Sequence, residues 1–105
     1  MDKLLEVLQA VGIPFAYDHF AEGESPEPPF ICYLLPDSDN FSADGRVYYK
    51  VNEVHIELYT DTKDLLVERQ LEAVLDEHGI FYDRSEVWIE SEKLYEVLYS
   101  FEMET

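Results

Sequence analysis

The side chains that could do chemistry are plentiful in kind but poorly grouped. Asp37, Asp39 and Asp44 fall in one polar segment, Asp37-Ser38-Asp39-Asn40-Phe41-Ser42-Ala43-Asp44-Gly45, whose carboxylate spacing resembles part of a calcium loop. Phe41 and Ser42 stand where such a loop needs a ligand and a glycine, so the match fails. The segment reads instead as a hairpin loop whose polar side chains cap turns. His19, His55 and His78 lie far apart, and none forms a ligand pair at helical spacing. His78, just before the helix-stopping Gly79, suits an interaction with terminal carbonyls. Pairs such as Glu53/Glu57 or Asp76/Glu77 arise by chance in a chain with 24 acidic residues, and carry no acid–base signal without a pocket. Only four glycines are present and none forms a phosphate-binding loop. These residues predict no enzyme, no metal site and no cofactor.

Cys32 is the single cysteine, so an internal disulfide is impossible and a cytoplasmic setting is expected. It lies in an apolar run and reads as a small core residue. At 105 residues and 47% hydrophobic content the chain is expected to form one domain, residues 1–105, around one core. No apolar run reaches the roughly 20 residues that span a bilayer, and the start lacks the pattern of a signal peptide. The formal charge of −17, from 24 acidic and 7 basic residues, argues against tight nucleic-acid binding, which relies on Lys and Arg at phosphates. It also argues against anionic membranes. The acids are spread along the chain rather than gathered in a tail.

The elements that must position these residues are organised around Val54 to Gly79. In Val54-His55-Ile56-Glu57-Leu58-Tyr59 the even positions are aliphatic and the odd ones polar or phenolic, the pattern of a strand with one buried face. Asp61 and Thr62 offer capping oxygens, and Val67, Leu71, Val74, Leu75 and His78 mark the inward stripe of a helix closed by Gly79. Upstream, Leu4, Leu5, Leu8 and Val11 predict a short helix over residues 2–11, and residues 13–20 a strand beginning at or edged by Pro14. Ala21 to Pro29 is a proline-rich connector. Phe30 to Leu35 predicts a central strand closed by Pro36, and Arg46 to Val51 an extended segment with a bulge near Asn52-Glu53. After Ile80-Phe81-Tyr82 and a polar break at 83–85, a hairpin is expected with arms at 86–90 and 94–103 and a turn at Ser91-Glu92-Lys93. Trp88 and Glu90 are expected on its outer face. The fold class is thus α+β: a single mixed, mainly antiparallel sheet of about five strands with two helices, in the order α-β-β-β-α-β-β.

The run Pro29-Phe30-Ile31-Cys32-Tyr33-Leu34-Leu35-Pro36-Asp37-Ser38-Asp39-Asn40-Phe41 resembles small prophage proteins of the tail terminator (tail completion, head–tail joining) family of long-tailed phages. So do Ala43-Asp44-Gly45, Val54-His55-Ile56-Glu57-Leu58-Tyr59-Thr60 and Tyr95-Glu96-Val97-Leu98-Tyr99-Ser100-Phe101-Glu102. The resemblance implies a structural virion protein that forms a homohexameric ring, caps the tail tube and joins it to the head. It would be assembled in the bacterial cytoplasm and sit at the tail–head junction. Its partners would be further copies of itself, the tail tube protein and a head-completion or connector protein. The resemblance also implies that the loop at Asp37 to Arg46 orders on assembly, which singles out Asp37, Asp39, Asn40, Phe41, Asp44 and Gly45.

A ring that lets DNA pass should repel phosphates, and acids act in this way over about a Debye length, roughly 8 Å at physiological salt. Asp37, Asp39, Asp44, Glu53 and Glu57 are the expected lumen acids. Copies of such an acidic chain also repel one another. Phe41, Tyr48 and Trp88 are therefore expected as apolar interface anchors, with Arg46, Lys50 and Arg84 as ion-pair partners. The rival reading is an acidic DNA mimic that inhibits a nucleic-acid-binding protein, and a third is another virion assembly adaptor.

Overall fold

The computed structural model describes the backbone of residues 2–38, 41–43, 46–49 and 51–104, and the side chains of residues 3–36 and 51–104. Asp39, Asn40, Asp44, Gly45 and Lys50 lie outside the described residues. Asp37, Phe41, Arg46 and Tyr48 are described in backbone only.

The first helix, α1 (Asp2–Val11), buries Leu4, Val7, Leu8 and Val11. These positions recur at three- and four-residue spacing, so they fall on one face. Val7 therefore takes the inward place expected of Leu5, which is only half-buried. Next comes β1 (Phe15–Tyr17), shorter than the run expected over 13–20 because Asp18 turns to a φ of +64°. It lies parallel to β2 (Phe30–Ser38) at one edge of the sheet, as Pro14 foreshadowed. The second strand runs three residues past Leu35. Its irregularity sets Leu35 and Pro36 against Val54 of β5, between the pairs Leu34–His55 and Asp37–Glu53. This bulge sits in β2, not at the expected Asn52-Glu53, because Pro36 has no N–H to give a ladder. Part of the segment read as loop is also strand: β3 (Phe41–Ala43) pairs with β4 (Arg46–Tyr49) in a two-stranded ribbon of its own.

The strand β5 (Val51–Thr60) buries Val54, Ile56, Leu58 and Thr60 and half-buries the residues between, which is the alternation expected from the sequence. The second helix, α2 (Leu65–Glu77), starts one turn later than Asp61-Thr62 would cap. Its N-cap is Asp64, whose carboxylate accepts from the Val67 N–H at 3.2 Å. At its end the Gly79 N–H bonds to the Asp76 carbonyl and the Ile80 N–H to the Leu75 carbonyl, both at 3.0 Å. Gly79 has a φ of +68°, so the helix closes on a Schellman motif that an L side chain would strain. His78 Nδ1 bonds to the Val74 carbonyl at 2.9 Å, as its position before Gly79 predicts.

The chain ends in the hairpin of β6 (Asp83–Ile89) and β7 (Leu94–Glu104). The main sheet has the order β1-β2-β5-β7-β6, with one parallel pair and three antiparallel ones. Counting its strands along the chain gives α-β-β-β-α-β-β. Both helices pack on one face, over Ile31, Val54, Ile56, Leu58, Val97 and Tyr99. Gln70 Nε2 donates to the Val11 carbonyl at 2.6 Å and fastens α2 to the end of α1.

Cys32 is 6% exposed, and burial first, then the nearby carboxylates of Glu57, Asp18 and Glu96, push its thiol up to about 11. A neutral, buried thiol is a poor nucleophile. Native protein at pH 8 is expected to react with a thiol reagent at least about a hundredfold more slowly than unfolded protein. Equal rates would place Cys32 at the surface.

Candidate functional site

Because both helices cover one face, the opposite face of the sheet carries no helix among the described residues. Alternation along β5 puts Glu53, His55, Glu57 and Tyr59 there, and the pairing register sets Glu102, Ser100, Leu98 and Glu96 of β7 opposite them in turn. Cys32 sits across from Glu57 on the other side. The Tyr59 hydroxyl donates to Glu57 Oε1 at 3.1 Å, with Glu96 Oε2 at 3.4 Å. A phenol has one proton, so it serves one carboxylate fully at a time. Burial, and then the charge of Glu96, hold the Glu57 carboxyl above its ordinary range, while the phenol and His55 partly offset this. Burial, followed by Glu57 and Glu96, raises the Tyr59 phenol as well. Beside this group Tyr59 stacks on Phe30 at 5.2 Å between ring centroids, and Phe30 meets the edge of Phe20 at 5.5 Å. His55 Nε2 lies 3.0 Å from Glu53 Oε1.

The raised carboxyl gives a directional expectation. Folding favours the protonated form of Glu57, so its contribution to stability is greatest at low pH and is lost as pH rises through its folded value, above the ordinary 4.5. Glu57→Gln is therefore expected to stabilise the chain at pH 7 by about 0.5–1 kcal/mol, by removing repulsion with Glu96. At about pH 3, below the ordinary range of the Glu57 carboxyl and further below its raised one, the parent is neutral at this position too, so the variant and the parent should melt together. Thermal melts at the two pH values read this out.

A second cluster joins α2 to the edge strand β6. Glu68 is 3% exposed, on the helix face that also buries Leu71 and Leu75. Its carboxylate receives Lys63 Nζ at 2.5 Å and Arg84 Nη2 at 2.5 Å. Arg84 also meets Glu86 at 3.1 Å, and Lys63 reaches Glu86 too. The Tyr99 hydroxyl donates to Glu72 Oε2 at 2.7 Å, one helical turn along. Both oxygens of the buried Glu68 carboxylate are thus matched, the condition for a buried charge to be tolerated. Lys63 and Arg84 are held charged by Glu68 above all, and Glu86 is shifted down chiefly by Lys63.

A third feature lies where β6 ends. The last β6–β7 pair is Asp83–Ser100, so Phe101 to Glu104 have β5 on one side and no strand on the other among the described residues. A groove of about 660 Å³ opens along that margin, lined by Lys3, Glu53, Phe81, Asp83, Glu102 and Glu104 among others. Phe81 is 98% exposed.

Of the residues expected at a lumen, Glu53 and Glu57 share the uncovered face, and Asp37 pairs in register with Glu53. Of the expected interface residues, Arg84 has its partners within the same chain. Trp88 is 39% exposed, donates from Nε1 to Glu90 at 2.6 Å, and packs on Tyr95 at 4.7 Å. Trp88 lies opposite Tyr95 and so on the helix side of the sheet, not on the outer face expected for it. Sequence reasoning did not find Glu68 or Glu96, since nothing local distinguishes them from the other glutamates. Among the described residues no three of His, Cys, Asp and Glu converge as metal ligands.

No family model matches the chain, and no curated protein matches it either. Among solved structures it is similar to a chain from the virion of a native gene transfer agent particle, with a TM-score of 0.62 at 14% identity. The match covers 93% of this chain and 82% of that one. At that identity the likeness establishes a shared fold.

Proposed function

We propose that this protein is a structural component of a phage-type virion that caps the tail tube and joins tail to head as a homo-oligomeric, hexameric ring. The observation that carries this reading is the fold it shares, over nearly its whole length, with a chain of a gene transfer agent virion. The uncovered sheet face supports it, because Glu53, Glu57, Glu96 and Glu102 lie on one surface that would repel phosphates from a passage for DNA. Asp37, Asp39 and Asp44 would add to that lining. Phe41, Arg46, Tyr48, Lys50 and Trp88 would serve contacts between copies, with the tail tube protein and a head-completion protein on the two rims. No step of this role needs a bond made or broken.

The acids of that face are interleaved with His55, Tyr59 and Leu98 rather than set in an unbroken row, which favours a lining over a mimic of the DNA backbone. The test is mass photometry and negative-stain microscopy of the protein alone and mixed with isolated tail tubes. Closed rings, free or seated on tube ends, are expected. A protein that stays monomeric, ignores tubes and displaces DNA from a basic enzyme would overturn the reading.

A further inference from the structure

We infer that the free margin of β7 at Phe101 to Glu104, with the groove beside it, is a docking site for an extended, Lys- or Arg-bearing arm of a different protein, which adds as a strand to the sheet. A strand with one neighbour presents a row of N–H and C=O groups in which alternate residues face away from the existing partner. Such a row is a template for another strand. Here the margin is four residues long, because β6 stops at the Asp83–Ser100 pair while β5 continues to Val51 against Glu104. Phe101 and Met103 are 5% and 6% exposed and turn into the core, so the backbone at the margin is held in place. That rigidity lowers the entropy lost when a strand is added.

Two further observations choose the occupant. The first is charge: Glu53, Asp83, Glu102 and Glu104 line the groove against Lys3, the single cation among the described lining residues. Lys3, Asp83, Glu102 and Glu104 make no ion pair with any other described residue. The second is Phe81, a fully exposed aromatic side chain at the rim that supplies an apolar contact for a side chain on one face of an incoming strand. An arm that alternates basic and apolar residues satisfies both. A second copy of this chain would bring its own −17 to the same place, so the fit is to a different, basic protein.

The probe is a capped six-residue peptide of alternating Lys and Val, titrated into the isotope-labelled full chain and followed by amide chemical shifts. Shifts are expected to cluster at residues 101–104, Phe81 and Asp83, and binding is expected to weaken at least tenfold between about 50 and about 500 mM salt. The surface variant Glu102→Lys/Glu104→Lys should weaken binding at least tenfold. N-methylation of alternate peptide amides should abolish it, since the ladder needs those donors. Shifts scattered over the whole acidic surface, or equal binding of the N-methylated peptide, would reduce the contact to charge alone and overturn the inference. Loss of the 101–104 signals with rising protein concentration, without peptide, would assign the margin to a second copy and overturn it too. The outcome is separable from the ring: rings that form while the peptide is ignored sink this inference only, and peptide uptake by a protein that never forms rings sinks only the proposed function.

Discussion

The double variant Lys63→Met/Arg84→Met is expected to lose about 3–5 kcal/mol of folding stability, the usual cost of leaving a buried charge without its partners. Glu68 has a side chain 5% exposed and two cations at 2.5 Å, and neither water nor another donor would replace both in the variant. Against a total of roughly 5–15 kcal/mol for a domain of this kind, that is a large share, visible in urea unfolding as a lower midpoint at unchanged slope. Adding Glu68→Met to the pair is expected to recover much of the loss, because an apolar cluster of similar size needs no counter-charge. A double variant within about 1 kcal/mol of the parent would show that Glu68 is hydrated in solution.

The same cluster fixes a pH window. Lys63 is raised above its ordinary 10.5 by Glu68 and then Glu86, so its contribution is complete below that value and is lost as pH climbs through the folded one. Glu86 is lowered from its ordinary 4.5, chiefly by Lys63, so its contribution is complete above that value and fades as pH falls through the folded one. The difference between parent and double variant should therefore be flat across neutral pH and shrink at both extremes.

Leu75→Ala is expected to cost about 2–5 kcal/mol. Leu75 is completely buried, between the two helices and the sheet, and its carbonyl also closes the helix through the Ile80 N–H. The backbone bond survives the substitution, so the loss measures the removed side chain, its burial together with the cavity it leaves. Leu66→Ala, on the same helix but 77% exposed, should stay within about 0.5 kcal/mol of the parent. Equal losses at the two positions would mean that α2 meets the sheet through a different face.

What the sequence disclosed follows from the reach of each signal. Alternation in Val54 to Tyr59 depends only on which face is buried, and it located β5 and its outward acids directly. Helical spacing and Gly79 likewise located α2. Glu68 escaped because the burial of a carboxylate depends on Arg84, sixteen residues further along and brought near only by the hairpin. Trp88 was placed on the wrong face for a different reason. Four residues, Glu90 to Lys93, separate Ile89 from its partner Leu94, with Lys93 at a φ of +56°. A slip of one residue in such a turn exchanges the two faces of an entire arm. Arg46 to Val51 was legible as extended from its in-phase Val47 and Tyr49, but its partner β3 was hidden among Asp and Ser residues, whose turn chemistry outweighed the strand preference of Phe41. The free margin of β7 could not be read at all, since where a strand loses its neighbour is set by register rather than residue type.

Among the described residues the main sheet is five strands wide at one end and three at the other: β1 reaches only Tyr33 of β2, and β6 only Ser100 of β7. At the narrow end the side chains that hold the fold, such as Phe101 and Met103, alternate with ones that face outward, such as Glu102 and Glu104. Duties are thus divided residue by residue along a single strand. A lineage of such proteins can exchange the outward set and acquire new neighbours while leaving the inward set, and the architecture it maintains, unaltered.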